Sequence, residues 1–205
     1  MKSTRTQKLT IMALLSALIM LMTFTGVGYI PIGPLKLTFL VLPVAIGSVL
    51  LGPASGAVLG AIFGLSSFIT CFGLDAFGVV LLGVNPYFTF ITCVVPRILC
   101  GLLPGLIYKW LNKRDKTTII APAVSCVSTA IINTIGFLGF LWLLFANDFV
   151  NNPEVIDILG GTVINTFSTL LVLFAGVNAI IESLTALILG TAIIKALKHF
   201  LKGLG

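Results

Sequence analysis

Charged residues are so sparse in this sequence that the uncharged stretches between them are long enough to cross a membrane. No charged residue lies between Lys8 and Lys36, between Lys36 and Asp75, or between Lys116 and Asp148. A soluble domain carries about 25% charged residues because its surface faces water. This chain of 205 residues carries 9% and is 58% hydrophobic. The composition therefore excludes a soluble enzyme, a nucleic-acid-binding protein and a disordered protein, and it predicts an integral membrane protein.

The lengths of the uncharged stretches predict an all-α membrane fold of six transmembrane helices. A spanning helix takes roughly 20 apolar residues, so the 38 residues from Leu37 to Leu74 hold two helices that fold back at Gly52-Pro53. The second helix is short for a full span. A β-barrel is excluded because the stretches are continuously apolar and do not alternate. We expect one domain, residues 1–205, with helices at about residues 9–29, 37–51, 53–72, 86–110, 117–145 and 162–196.

The basic residues form three clusters that predict the orientation in the membrane. One cluster precedes the first helix, one lies between the fourth and fifth helices, and one ends the chain: Lys2, Arg5, Lys8; Lys109, Lys113, Arg114, Lys116; Lys195, Lys198, Lys202. With six spans these clusters fall on one side, which the positive-inside rule assigns to the cytoplasm. We therefore expect both termini in the cytoplasm of a bacterial plasma-membrane protein. The first apolar stretch is interpreted as a retained helix, because no small-residue cleavage site follows it.

The sequence is poor in the residues that catalysis or ATP hydrolysis would need. It has no GxxxxGK[ST] loop, so we expect no ATP hydrolysis by that route. The only histidine, His199, lies in the tail, which disfavours an intramembrane serine protease and a Cys/His metal site. Four cysteines in apolar stretches are interpreted as free packing residues: Cys71, Cys93, Cys100 and Cys126. We therefore expect that the protein has no enzymatic activity and binds neither a metal nor a cofactor.

Two charged residues fall inside predicted spans, where charges are costly and usually functional. Arg97 precedes Lys109 by 12 residues and Glu182 precedes Lys195 by 13. At about 1.5 Å per residue both lie roughly 18–20 Å above the cytoplasmic interface. They are at matching depth and can pair if their helices are neighbours. Either they form an ion pair that braces two helices, or they line a ligand cavity, alone or as a pair.

Amides and aromatic residues lie above these two charges and favour the cavity. Asn178 is four residues from Glu182 on the same helix face, and Asn133 is expected at the level of Asn178. Asn85 is expected to cap the fourth helix, which begins at Pro86, with Tyr87 beside it. Each amide alone would be explained by an interhelical hydrogen bond. Polar groups at several depths, with aromatic neighbours, instead predict a small-molecule cavity. Three outer loops are predicted as its gates, at residues 28–36 with Lys36, 73–86 and 147–157.

Small residues recur every fourth position on two helices. Ala13 and Ala17 lie on the first helix, and the third carries Gly52, Gly56, Gly60 and Gly64. Such stripes let helices approach closely. For the glycines we favour packing inside the protein.

The chain resembles the substrate-binding S components of energy-coupling factor (ECF) vitamin transporters. The resemblance rests on six helices, a basic cytoplasmic side, Ala-x-x-x-Ala on the first helix, and Leu-Pro-Val…Leu-Gly-Pro-x-x-Gly within residues 37–69. It implies a vitamin-binding subunit that works with a transmembrane coupling (T) subunit and two cytoplasmic ATPases. It also implies that Ala13 and Ala17 face the coupling subunit.

Residues 71–101 are most similar to the pantothenate-type members of that family. A carboxylate ligand would suit Arg97 or Lys36. Its hydroxyls and amide would suit four polar residues: Asn85, Asn133, Asn178 and Glu182. S components for folate, a hydroxymethylpyrimidine or queuosine precursors remain alternatives, as does an ion-coupled small-molecule carrier.

Overall fold

The protein is a bundle of helices with one short β-hairpin. The computed structural model describes the backbone of residues 5–32, 35–113 and 119–203, with side chains in these ranges apart from residues 5, 29–32, 35–37, 173–178 and 198–203. Its elements, in chain order, are α1 (Arg5–Phe24), β1 (Tyr29–Ile32), β2 (Leu35–Thr38), α2 (Val41–Leu51), α3 (Pro53–Thr70), α4 (Ala76–Val84), α5 (Pro86–Leu111), α6 (Ile120–Phe145), α7 (Asp148–Asn151), α8 (Pro153–Ile158), α9 (Phe167–Thr185), a π-helical turn (Ala186–Gly190) and α10 (Thr191–Gly203).

The membrane-spanning character expected from the sequence is confirmed. In the described part of the chain, five helical stretches are long and apolar enough to cross a bilayer: Thr6–Phe24, Pro53–Thr70, Pro86–Leu111, Ile120–Phe145 and Ala179–Leu197. The predicted short second helix is present as α2, with 11 residues. It is buried along almost its whole length, so the longer helices surround it. We call the side opposite the basic clusters the outer side.

The ends of the predicted helices agree best where a turn residue fixes them. Gly52, with φ +102°, separates α2 from α3 at the predicted fold-back. Pro86 begins α5, and the Asn85 side chain accepts from the backbone N–H groups of Tyr87 and Phe88, as predicted for a cap. The predicted start of the fifth helix at residue 117 lies outside the described residues.

The predicted end of the first helix and the predicted starts of the second and last helices were wrong by four or five residues. Helix α1 ends at Phe24 and α2 begins at Val41, because residues 29–32 and 35–38 form the two paired strands of the β-hairpin. The last spanning helix begins at Phe167. Gly160 and Gly161 adopt φ values of +66° and +80° before it, which the right-handed helix does not allow.

Two of the connections predicted as gating loops contain helices. The stretch 73–86 holds α4, capped by Asp75, whose carboxylate accepts from the Gly78 N–H at 3.1 Å. The stretch 147–157 holds α7 and most of α8. The sequence predicts loops in both places because their glycines, asparagines and prolines favour turns, and their apolar stretches are shorter than a span.

Helices α3 and α5 pack with their backbones in direct contact, as expected for the glycine stripe. A methyl group added to Gly60 would overlap the carbonyl oxygen of Arg97, and one added to Gly64 would lie 2.7 Å from the Val94 Cα. Gly56 meets the carbonyl of Gly101 in the same way. This contact between α3 and α5, which we call the glycine seam, fixes the height of Arg97 in the bundle.

The two larger apolar clusters lie at different heights. The first surrounds α2 and joins α1, α3, α5, α6 and the end of the last helix, with Leu15, Ile19, Val44, Leu59, Phe63 and Ile194 among its buried members. The second joins α4, α6, α8 and α9 on the outer side, around Phe77, Leu141, Phe145, Phe149 and Leu170. Between them the bundle leaves a cavity.

Candidate functional site

A cavity of about 420 Å³ opens among the outer ends of the helices. This is a size typical of small-molecule sites. Its wall is formed by the end of α1, the end of α3, α4, the first half of α5, the second half of α6, Thr38 and Glu182: Thr23, Phe24, Thr25, Gly26, Thr38, Phe63, Ser67, Thr70, Cys71, Leu74, Asp75, Phe77, Gly78, Leu81, Thr89, Thr92, Cys93, Arg97, Asn133, Thr134, Phe137, Leu138 and Glu182.

Arg97 lies in the wall of this cavity and is only 8% exposed. One terminal nitrogen, Nη1, donates to the carbonyls of Thr92 at 2.9 Å and Cys93 at 3.1 Å, one turn earlier on α5. The guanidinium carbon lies 4.6 Å from the centre of the Phe137 ring and 5.3 Å from that of Phe63. These aromatic and carbonyl groups hold the fork in one orientation but do not neutralise its charge.

Glu182 lines the same cavity and holds the β-hairpin. Its Oε1 accepts from the backbone N–H of Thr38 at 2.9 Å, and its Oε2 accepts from the Thr134 hydroxyl at 3.4 Å. Within the described part of the chain, no oxygen of Glu182 is a partner of Arg97. The two charges therefore share a cavity without forming the brace that the sequence left open.

Three buried polar atoms of the wall find no hydrogen-bond partner among the described residues: Arg97 Nε, Asn133 Oδ1 and Thr92 Oγ1. A buried polar group without a partner destabilises a protein by about 1–3 kcal/mol. The residues that carry these atoms lie on two adjacent helices and line one cavity. A rotation of these side chains toward the cavity would offer a donor and two acceptors to a ligand there.

The structure brings three of the predicted binding residues to this cavity: Arg97, Asn133 and Glu182. It does not bring Asn85 or Tyr87 there. The side-chain oxygen of Asn85 caps α5 by accepting two backbone hydrogen bonds, and the Tyr87 side chain is 82% exposed. The side chains of Lys36 and Asn178 lie outside the described residues.

Sequence reasoning missed the contributions of Phe63, Thr92 and Thr134. Threonines in spanning helices usually bond to their own backbone, so spacing alone does not separate a wall residue from a packing residue. Phe63 belongs to the glycine-rich helix, whose stripe of small residues indicated only packing.

Residues 7–196 match the sequence family described as the substrate-specific component of the ECF transporters. The match covers nearly the whole chain. The chain belongs to this family. It is therefore a multi-pass plasma-membrane protein that serves as the substrate-binding component of a transporter, which confirms the resemblance seen in the sequence.

Two curated relatives are similar in sequence to this substrate-specific component. It is 35% identical over 175 residues to the pantothenic acid transporter PanT of Lactococcus lactis subsp. cremoris, covering 80% of this chain and 79% of the relative. It is 30% identical over 209 residues to the pantothenate transporter PanT of Leuconostoc mesenteroides subsp. mesenteroides, covering 94% and 93%. Both relatives are similar to this chain over most of their length.

Proposed function

We propose that this substrate-specific component captures pantothenate from outside the cell and holds it in the cavity around Arg97. The observation that carries the proposal is a buried guanidinium that has no carboxylate partner among the described residues and faces a cavity of about 420 Å³. A buried charge without a counterion is unfavourable, and an anionic ligand would remove that penalty. Two relatives named for pantothenate support the same ligand.

The functional groups of pantothenate complement those of the wall. Its carboxylate would accept from the guanidinium of Arg97 in a charge-assisted bond. Its hydroxyls and amide N–H would donate to Asn133 Oδ1, Thr92 Oγ1 and Glu182. The rings of Phe63 and Phe137 would contact its methyl groups. Lys36 and Asn178 remain further candidates from the sequence.

A panel of vitamins tests the ligand directly. Purified protein should gain thermal stability and bind pantothenate, because a ligand that binds only the folded state stabilises it by mass action. Folate, a hydroxymethylpyrimidine and a queuosine precursor should leave the melting temperature unchanged. Stabilisation by one of these compounds but not by pantothenate would assign the protein to another vitamin.

We further propose that transport depends on an ECF module made of a coupling (T) subunit and two cytoplasmic ATPases. The absence of a GxxxxGK[ST] loop from the sequence supports this dependence. The alternative is an ion-coupled carrier. Uptake of labelled pantothenate in cells without an ECF module should stay at background, and strong accumulation by this chain alone would establish the carrier instead.

The coupling subunit is proposed to dock on the Ala13 and Ala17 face of α1. Both alanines are exposed, whereas Leu15 and Ile19 on the opposite face are buried, at 4% and 0% exposure. Small exposed residues permit close helix contact. Ala13→Trp and Ala17→Trp should keep pantothenate binding and abolish uptake. Val172→Trp, at a position 78% exposed on α9, is the matched control and should transport normally. If both tryptophan variants lose pantothenate binding and fail to fold, Ala13 and Ala17 form an internal packing surface instead.

A further inference from the structure

Two cysteines meet in the wall of the cavity. Cys71 follows the last turn of α3 and Cys93 lies on α5, and their sulfur atoms are 4.0 Å apart. Both are free thiols that line the cavity. Cys100 and Cys126, by contrast, are fully buried in the apolar cluster around α2 and are absent from the cavity wall. The four cysteines are therefore not equivalent, although the sequence suggested one packing role for all of them.

The thiol pair can be reached from the outer side. The rim of the same cavity includes the exposed residues Thr25 and Gly26, and Leu74, which is 64% exposed. A small water-soluble oxidant that enters the cavity arrives beside the pair. Proteins exposed to an oxidising exterior commonly form disulfides there.

We propose that Cys71 and Cys93 form a dithiol site that peroxides oxidise to a disulfide, and that this bridge distorts the cavity and weakens ligand capture. In the first step one thiol attacks hydrogen peroxide. The O–O bond breaks, a sulfenic acid forms and one water leaves. In the second step the other thiol attacks that sulfur, the S–S bond forms and a second water leaves. Two thiols lose two hydrogens, and the peroxide is reduced to two waters.

The glycine seam determines which side of the pair must move. A disulfide bond is about 2.05 Å long, so the two sulfur atoms have to approach by about 2 Å from their separation of 4.0 Å. Cys93 cannot shift easily, because its carbonyl oxygen packs against Gly64 in the seam and accepts from Arg97. Cys71 lies in the turn between α3 and α4, two residues before Gly73 at φ +135°. Rotation of the side chains and displacement of this turn therefore close the bridge.

Displacing that turn changes the cavity. Cys71, Leu74 and Asp75 all line it, and Asp75 caps α4, whose Phe77 and Leu81 also line it. A binding site tolerates displacements of only about 0.5 Å before its contacts loosen. The bridged protein should therefore bind its ligand less tightly than the reduced protein does.

Thiol counting on the full chain tests the bridge itself. The protein is treated with hydrogen peroxide, unfolded, alkylated and analysed by mass spectrometry. We expect two of the four thiols to escape alkylation, with a loss of two hydrogens and a peptide linking Cys71 to Cys93. Cys71→Ser and Cys93→Ser should each prevent the bridge, whereas Cys100→Ser should still form it. Four free thiols, oxygen added to the cysteine sulfur atoms without a bridge, or a bridge to another cysteine would overturn the proposal.

Calorimetry with pantothenate tests the consequence, and this part rests on the proposed function. The oxidised wild-type protein should bind pantothenate about tenfold more weakly than the reduced protein, the equivalent of losing one net hydrogen bond, and dithiothreitol should restore the affinity. Oxidant should not change the affinity of the double variant Cys71→Ser, Cys93→Ser, which has neither cavity thiol, relative to its own untreated sample. A bridged protein with unchanged affinity would refute the distortion. Failure of the reduced protein to bind pantothenate would count against the ligand and leave the thiol count to decide the bridge.

Discussion

Helix α5 has two faces of opposite character. Toward α3 its backbone touches glycines so closely that an added methyl group would meet a carbonyl or a Cα atom. Toward α6 and α9 its side chains line a cavity in which buried polar atoms lack partners among the described residues. One face is saturated with contacts and the other is left incomplete. The saturated face holds the incomplete face in place, because Arg97 contributes its carbonyl oxygen to the seam and its guanidinium to the cavity.

The largest effect is expected from breaking the glycine seam. Gly60→Ala would drive a methyl group into the Arg97 carbonyl and separate α3 from α5. Overpacking of this kind destabilises a protein by about 1–3 kcal/mol, and we expect the upper end because both contacting groups are backbone. Thermal unfolding in detergent measures the loss. Gly139→Ala on α6 is the matched control, since its added methyl group meets no atom within 4 Å. If the two variants are equally stable, the close contact between α3 and α5 at Gly60 does not stabilise the protein.

Arg97→Met is expected to separate binding from stability. Among the described residues no carboxylate bonds directly to Arg97, so the variant breaks no ion pair, and the loss of stability should stay below the about 3–5 kcal/mol that breaking a buried pair costs. Pantothenate affinity should fall by about 1.5–3 kcal/mol, the worth of a hydrogen bond to a charged group. Unfolding and calorimetry on the same preparation give both values.

The double variant Arg97→Met, Glu182→Gln sharpens this result. If Arg97 and Glu182 only brace the helices, the double variant should be more stable than either single variant and should keep near-normal affinity for pantothenate. The ligand site predicts a folded double variant with weak binding. If the double variant recovers stability and keeps its pantothenate affinity, Arg97 and Glu182 have only a structural role and do not bind the ligand.

A smaller and more local effect is expected at Glu182. Glu182→Ala removes the acceptor for the Thr38 N–H, so hydrogen exchange at the Thr38 amide should accelerate by about tenfold, equivalent to about 1.4 kcal/mol. Glu182→Gln keeps an acceptor oxygen and should preserve most of the protection. If the alanine and glutamine variants exchange alike, the carboxylate does not hold the hairpin.

The smallest effect is expected at Thr92. Its buried hydroxyl oxygen has no partner among the described residues, so Thr92→Val removes an unpaired polar group and should stabilise the ligand-free protein by about 1 kcal/mol. Binding should weaken by about 1 kcal/mol if the hydroxyl contacts ligand. Thr129→Val is a useful control, because the Thr129 hydroxyl bonds to the Ser125 carbonyl within α6, outside the cavity wall. Unchanged affinity in Thr92→Val would remove this residue from the site.

The sequence was sufficient to predict the spanning helices, because a soluble domain needs charged residues on its surface and does not tolerate uncharged stretches of this length. It also identified Arg97, Asn133 and Glu182 as residues of one cavity, since polar groups at similar depth in a bundle tend to converge. It failed for the paired strands at residues 29–32 and 35–38 and for α4. Turn-forming residues flank both elements, and neither has the length of a span. Local composition does not distinguish a short capped helix from a loop.

Whether Arg97 pairs with Glu182 was also beyond the sequence. Equal depth allows an ion pair, but side-chain direction decides it. Glu182 turns to the Thr38 amide, and Arg97 turns back to its own helix and to Phe137. Asn85 illustrates the opposite error. The sequence favours it both as a cap and as a ligand-binding residue, and its side-chain oxygen is committed to the cap.

The central claim is that the guanidinium of Arg97, which has no carboxylate partner among the described residues, binds the carboxylate of pantothenate. It is tested most directly by comparing pantothenate with panthenol, which carries an alcohol in place of the carboxylate, on the wild-type protein and on Arg97→Met. Calorimetry should show that the wild-type protein prefers pantothenate by about 10- to 150-fold, the equivalent of about 1.5–3 kcal/mol. Arg97→Met should bind the two compounds with nearly equal, weak affinity. A preference for pantothenate that persists undiminished in Arg97→Met would contradict the account.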